Sequence, residues 1–219
     1  MNILDFLFPI RSLLGNEGTW ITEEERRSMR LFPVRIDRHE LQKRGLPSID
    51  CIIAAGSYSS SPLLKRAIHT FKYRGVHAIA PELGRKIAEA LPGLLMIPEK
   101  YRNPPPVLCP VPLHWTRRFR RGFNQAELIA RELSKSTGWR VEGLLRRTRP
   151  TGHQAHRHRD ERLGAMKSAF AIIHGETTPP PCVLLVDDIV TTGSTLEACA
   201  ETLKKAGVKY IVGLVVAHG

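Results

Sequence analysis

The sequence predicts an α/β protein built on a mainly parallel, twisted sheet flanked by helices. Three observations carry this. From residue 107 onward, apolar runs and amphipathic stretches follow in the order strand, helix, strand, loop, strand, strand, helix, strand. The run "CVLLVDDIV" is apolar without alternation, the pattern of a strand covered on both faces. The length of 219 residues suits one sizeable core with at most a small appended piece.

Residues 1 to 48 form a charged N-terminal segment whose "EEERRSMR" and "RIDRHELQKRG" read as helix or loop. Residues 49 to 219 form the α/β domain. "CIIAAGSY" is a β-branched apolar strand ending in a serine-rich turn. In "SPLLKRAIHTFKYRG", Leu63, Leu64, Ala67, Ile68 and Phe71 recur at helical spacing. Ser61 is the expected N-cap, Pro62 the first helical residue and Gly75 the stop. "PELGRKIAEALPG" is a second, proline-started helix. "NPPPV" is a turn, and "VLCPVP" is a short buried strand with its prolines at the end. "QAELIARELSKSTG" is an amphipathic helix, "GLLRRTRP" a short strand running into a basic loop, and "AFAII" another strand. "STLEACAETLKKAG" and "YIVGLVVAHG" supply a last helix and strand, joined by a right-handed crossover.

The charge of +12 and sequence pI near 10.0 suit anionic partners (nucleic acid, phosphorylated small molecules or an anionic surface), with a generic basic surface as the other reading. Cys51, Cys109, Cys182 and Cys199 make no C-x-x-C pair, so zinc spacing is absent. No run is long enough to span a bilayer. "MNILDFLFPI" has an early aspartate and a proline, unlike a secretory leader. A cytoplasmic, reduced protein is expected.

The stretch "VLLVDDIVTTGSTL" carries the clearest chemistry. In a parallel sheet, ligands bind beyond the carboxyl ends of the strands. The strand delivers Asp187 and Asp188 to that edge. Gly193 permits a tight turn, and the amides of Thr191, Thr192, Gly193, Ser194 and Thr195 precede a helix whose start carries partial positive charge. This suits a phosphate monoester. Carboxylates repel phosphate, so the aspartates serve another group, and a vicinal diol accepts that role. A ligand bearing both is a ribose 5-phosphate. The loop is not a Walker A motif, which ends GK[ST], and there is no G-x-G-x-x-G.

"VLLVDDIVTTGSTL" resembles the phosphoribosyl pyrophosphate (PRPP) motif of type I phosphoribosyltransferases. "CPVPLHWTRRFRRGFNQAELIARELSK", "LLRRTRPTGHQ" and "YSSSPLLKRAIHTFKYRG" are similar to segments of the ComF family, phosphoribosyltransferase-like proteins linked to DNA uptake. The resemblance covers residues 50 to 219 and implies a type I phosphoribosyltransferase fold. It implies a diol held by Asp187 and Asp188, a 5-phosphate on residues 191 to 195, and Mg²⁺ arriving with PRPP. It also implies a pyrophosphate loop through Pro112 and Leu113, and a competence helicase as a partner. A cis bond before Pro110 or Pro112 would cost less than elsewhere, by roughly 2 kcal/mol.

Arg117, Arg118, Arg120 and Arg121, interleaved with Trp115, Phe119 and Phe123, suit a diphosphate or single-stranded DNA. Phe123 has core as its other reading. His153, His156 and His158 stand among arginines that repel a metal ion, so that segment reads as a cationic flap. By resemblance it is the flexible loop, carrying Gln154, Arg157 and Arg159. Ala165 stands where the family commonly has asparagine. ComF-like proteins often carry paired zinc cysteines near the N-terminus, whereas Ser12 and Gly15 stand there in this chain, so zinc is not expected. Three functions stay open at this point: a PRPP-binding ComF-type protein that binds single-stranded DNA, a metabolic phosphoribosyltransferase, and a non-catalytic PRPP-sensing regulator.

Overall fold

The computed structural model describes residues 10–113, 122–148, 169–173 and 179–219. A five-stranded sheet forms its centre. Across it the strands lie in the order Val34–Asp37 (β1), Cys51–Ser57 (β2), Tyr210–His218 (β7), Cys182–Val190 (β6) and Val107–Pro110 (β3). Strand β1 is antiparallel to β2, and all other pairs are parallel. A separate two-stranded antiparallel ribbon joins β4 (Leu145–Arg147) and β5 (Phe170–Ile172). The helices are α1 (Glu23–Ser28), α2 (Arg38–Lys43), α3 (Pro62–Tyr73), α4 (Ala80–Ala90), α5 (Gln125–Thr137) and α6 (Ser194–Lys205).

Side-chain alternation along the strands builds a core on each face of the sheet. Ile53, Leu184, Val186, Val212 and Leu214 point to one face, under α3, α4 and α5. Ile52, Ala54, Val183, Leu185, Ile211 and Val215 point to the other, under α2 and α6. Strand β6 lies between β7 and β3 with Cys182 through Val186 fully buried, as its unbroken apolar run predicts. The four cysteines are free, buried thiols.

The expected helices appear with their expected ends. Ser61 accepts a hydrogen bond from the Leu64 amide at 3.2 Å, with Pro62 opening α3. Gly138 closes α5 in the left-handed conformation, at φ 73°. The proline bonds turn out differently. Pro110 pairs with Val186 inside the ladder and the Val111 amide continues it to the Val186 carbonyl, so both bonds take the trans form a strand needs. The cis bond among the described residues is Asn103–Pro104.

The N-terminal segment holds more than helix or loop. "VRID" adds β1 to the sheet edge, and Asp37 then caps α2 by accepting from the Glu40 amide at 3.0 Å. The strand is only four residues long and carries two charges, too little pattern to announce itself. The expected boundary at residue 48 falls between the paired strands β1 and β2. Leu41, Leu46 and Ile49 enter one core, and Leu13, Ile21 and Met29 the other.

Residues 12 to 25 are organised by one buried carboxylate. Glu25 is 1% exposed. Its Oε1 accepts from the Ser12 hydroxyl at 2.7 Å and the Leu14 amide at 2.6 Å. Its Oε2 accepts from the Thr22 amide at 2.7 Å, and the Glu25 amide donates back to Thr22 Oγ1. This is a capping box extended to a second loop. Burial alone would raise the Glu25 pKa, but the donors from Ser12, Thr22 and Leu14 hold it below the ordinary value. A depressed carboxylate contributes stability above the ordinary carboxyl range and loses it as pH falls. Glu25→Ala, which strands these donors, is therefore expected to cost about 3 kcal/mol at pH 7 in urea unfolding. The gap to wild type should shrink below about pH 4.

Candidate functional site

The helices that follow β3 and β6 leave on opposite faces of the sheet, α5 towards one core and α6 towards the other. That divergence opens a crevice at the carboxyl ends of two adjacent parallel strands, where ligands bind in such sheets. A cavity of about 630 Å³ occupies it. Asp187, Asp188, Ile189 and Thr195 line it from β6 and α6, Val111, Pro112 and Leu113 from the end of β3, and Lys72, Tyr73 and Arg74 from α3.

The two aspartates differ in environment. Asp188 is 5% exposed and meets Lys72, with Nζ 2.8 Å from Oδ1. Asp187 is half-buried, and its Oδ1 accepts from the Asp188 amide at 2.8 Å. Burial and the neighbouring Asp188 charge push the Asp187 pKa up to about 7, against the opposing pull of Lys72 and Arg147. So the edge of the sheet holds a salt-bridged carboxylate and, beside it, one close to titration at neutral pH.

The loop after β6 has the shape its residues predict. Gly193 adopts φ 78°, a left-handed conformation that favours glycine. A Cβ there would also collide with Leu46 Cδ1. The Thr192 and Ser194 hydroxyls lie 2.9 Å apart. The N-cap of α6 is Gly193, which has no side chain to offer the first turn, and the Ser194 amide donates to Thr192 Oγ1 at 3.4 Å. Glu197, one turn in, is buried and accepts from the Ser48 amide at 3.0 and 3.2 Å. Leu46 and Ser48 thus buttress the loop from the N-terminal segment.

Asn124 ties the other wall together. Its amide nitrogen donates to the Val111 carbonyl at 3.1 Å, and its oxygen accepts from the Ala126 amide at 3.2 Å. One side chain caps α5 and fixes the loop that carries Pro112 and Leu113. Gln125 beside it is 2% exposed and lines the cavity. Among the described residues neither end of its carboxamide finds a hydrogen-bond partner.

Of the predicted residues, Asp187, Asp188, Thr195, Pro112 and Leu113 come together around the cavity. Thr191 and Thr192 lie on its loop without lining it, and Gly193 and Ser194 are buried beneath. Phe123 takes the core reading: it is 8% exposed and packs on Phe71 at 5.5 Å and His77 at 4.2 Å between ring centroids. Arg117, Arg118, Arg120 and Arg121, with Trp115 and Phe119, lie outside the described residues. So do Gln154, Arg157 and Arg159, the three flap histidines and Ala165.

Sequence reasoning gave no role to Lys72, Arg74, Asn124, Gln125 or Arg147, all of which line the cavity. A signal existed for Lys72. It stands four residues beyond Ile68 and eight beyond Leu64, on the buried stripe of α3, where a charge requires a partner. Arg147 also sits over the Phe170 ring at 5.3 Å.

No group of three or more metal-ligating side chains forms among the described residues. Mg²⁺ needs less from a protein: it keeps waters and binds through one or two carboxylates plus substrate phosphates. Asp187 and Asp188 fit that limited role.

The raised Asp187 pKa fixes a sign. The folded chain holds a proton that the unfolded chain releases between about pH 4 and 7, so this group's contribution to stability falls as pH rises through that window. Asp187→Asn keeps the shape without the charge. Its melting temperature relative to wild type should climb from pH 4.5 to pH 8 in calorimetric scans; a flat difference would contradict the assignment.

The phosphoribosyl transferase domain model matches residues 120–219. Competence protein F of Haemophilus influenzae is 31% identical over 175 residues, covering 75% of this chain and 71% of that one. The DNA utilization protein YhgH of Salmonella typhi is 30% identical over 181 residues, covering 74% and 75%. Competence protein ComFC of Streptococcus pneumoniae is 36% identical over 101 residues, covering 46% and 43%. The fold described above, a mainly parallel sheet flanked by helices, agrees with the phosphoribosyl transferase domain match. With competence protein F matched over most of both chains, the chain belongs to the ComF family of phosphoribosyltransferase-like proteins.

Proposed function

We propose that this chain is a ComF-type protein of DNA uptake or DNA utilisation that binds PRPP, or a like ribose 5-phosphate ligand, in the crevice and single-stranded DNA on its basic surface. The observation that carries the ligand half is the pairing of two unlike subsites on one cavity. Asp187 and Asp188 offer acceptors for a vicinal diol. The uncapped first turn of α6 offers amides and positive potential for the 5-phosphate. Lys72 holds Asp188 and offsets part of the repulsion between the aspartates and an incoming polyanion. Bound Mg²⁺ would neutralise diphosphate charge, with Asp187 and Asp188 as the residues that hold its water shell.

The DNA half rests on the net charge of +12 and on the names of the relatives, competence protein F and DNA utilization protein. No described helix is long and apolar enough to cross a membrane. Calorimetric titration with PRPP and Mg²⁺ tests the ligand half. Wild type should give saturable binding, and Asp187→Ala/Asp188→Ala should weaken it by at least tenfold while the chain stays folded. Equal affinity in the double variant would remove the diol assignment.

A further inference from the structure

Helix α3 carries charge at the edge of its buried stripe and on its exposed face. Lys72, at the edge, reaches Asp188. Lys65, Arg66, His69, Tyr73 and Arg74 are exposed. Spacings of four residues put Lys65, His69 and Tyr73 in one row, about 6 Å apart along the helix. The His69 and Tyr73 rings lie 4.7 Å apart, and Tyr73 is 67% exposed.

A second cavity, of about 260 Å³, opens between this face and the N-terminal segment. Arg11, Arg66, His69 and Arg74 line it together with Ser12 and Thr70, and no carboxylate does so among the described residues. Among the described residues, Arg11 pairs with an acid, Glu17 at 2.8 Å. Arg74 lines this cavity and the 630 Å³ crevice alike. Arg74 therefore links the ligand crevice to a cavity whose cationic side chains extend along α3 to residue 11.

We propose that this face of α3, closed by Arg11, is a seat for a single nucleic-acid strand, with the arginines on phosphates and the His69–Tyr73 ring pair on a base. The proposal rests on the reading that the chain binds DNA, and assigns that binding to described residues distinct from the 117–121 arginines. Single strands are gripped by cations tracking the backbone beside exposed rings that stack on bases. A row of one cation or ring per helical turn supplies both. An acidic protein surface would use the cations but leave the ring pair without a role.

The test is fluorescence anisotropy of a labelled 20-residue oligothymidylate on the full chain at salt from 50 to 200 mM. Arg66→Ala/His69→Ala removes one cation and one ring without touching the crevice. It should bind the strand at least tenfold more weakly, and its log–log salt slope should fall by about 0.7, the value for one phosphate contact on a single strand. Its PRPP titration and melting temperature should match wild type. If wild type binds the strand and this variant binds equally well, the seat is elsewhere and the DNA reading survives without it. If wild type does not bind at low salt, both are wrong. Competition by polyglutamate as effective as by the oligonucleotide would also overturn the proposal, since it would show a surface that reads charge alone.

Discussion

The structure depends on one constraint: two adjacent carboxylates sit near the end of a strand whose first five residues are fully buried. Strand β6 is flanked by β7 and β3 and covered by helices on both faces, which leaves Asp188 buried and Asp187 half-buried where they line the crevice. Their repulsion is met in two ways. Lys72 reaches over from α3 to Asp188, and Asp187 moves towards the protonated form. The first couples a helix from early in the chain to the last βαβ unit. The second gives the crevice an acid whose charge depends on pH near neutrality.

The surrounding elements follow from keeping that edge open and positively framed. The turn at Gly193 sits so close to Leu46 that any side chain would displace it, and Ser48 is held by Glu197 in the first turn of α6. The N-terminal segment is thus part of the site's support. Its own order comes from Glu25, whose carboxylate gathers Ser12, Leu14 and Thr22. Ser12 stands where the ComF resemblance leads one to expect a cysteine, and it donates to a carboxylate there.

Much of the fold was legible because its signals are local. The unbroken run of residues 182 to 190, the Ser61–Pro62 helix start and Gly138 at the end of α5 each speak within a few positions. The acidic pair and its loop were legible for the same reason. Lys72, Asn124, Gln125 and Arg147 were not, since their chemistry appears only when α3, α5 and β4 meet the edge of β6. Strand β1 escaped because four residues with two charges show no clear period, and its partner β2 lies beyond a helix and a turn. Phe123, following a run of arginines, left stacking and core both open; packing against Phe71 and His77 decides for the core.

The central claim is that the crevice divides its ligand, phosphate to the start of α6 and diol to the aspartates. A crystal structure of the chain with PRPP and Mg²⁺ tests it most directly. The account predicts the ribose hydroxyls within hydrogen-bond distance of Asp187 and Asp188, and the 5-phosphate on the amides of residues 191 to 195. A ligand bound with its 5-phosphate away from that loop, or with its ribose hydroxyls clear of both aspartates, would contradict it.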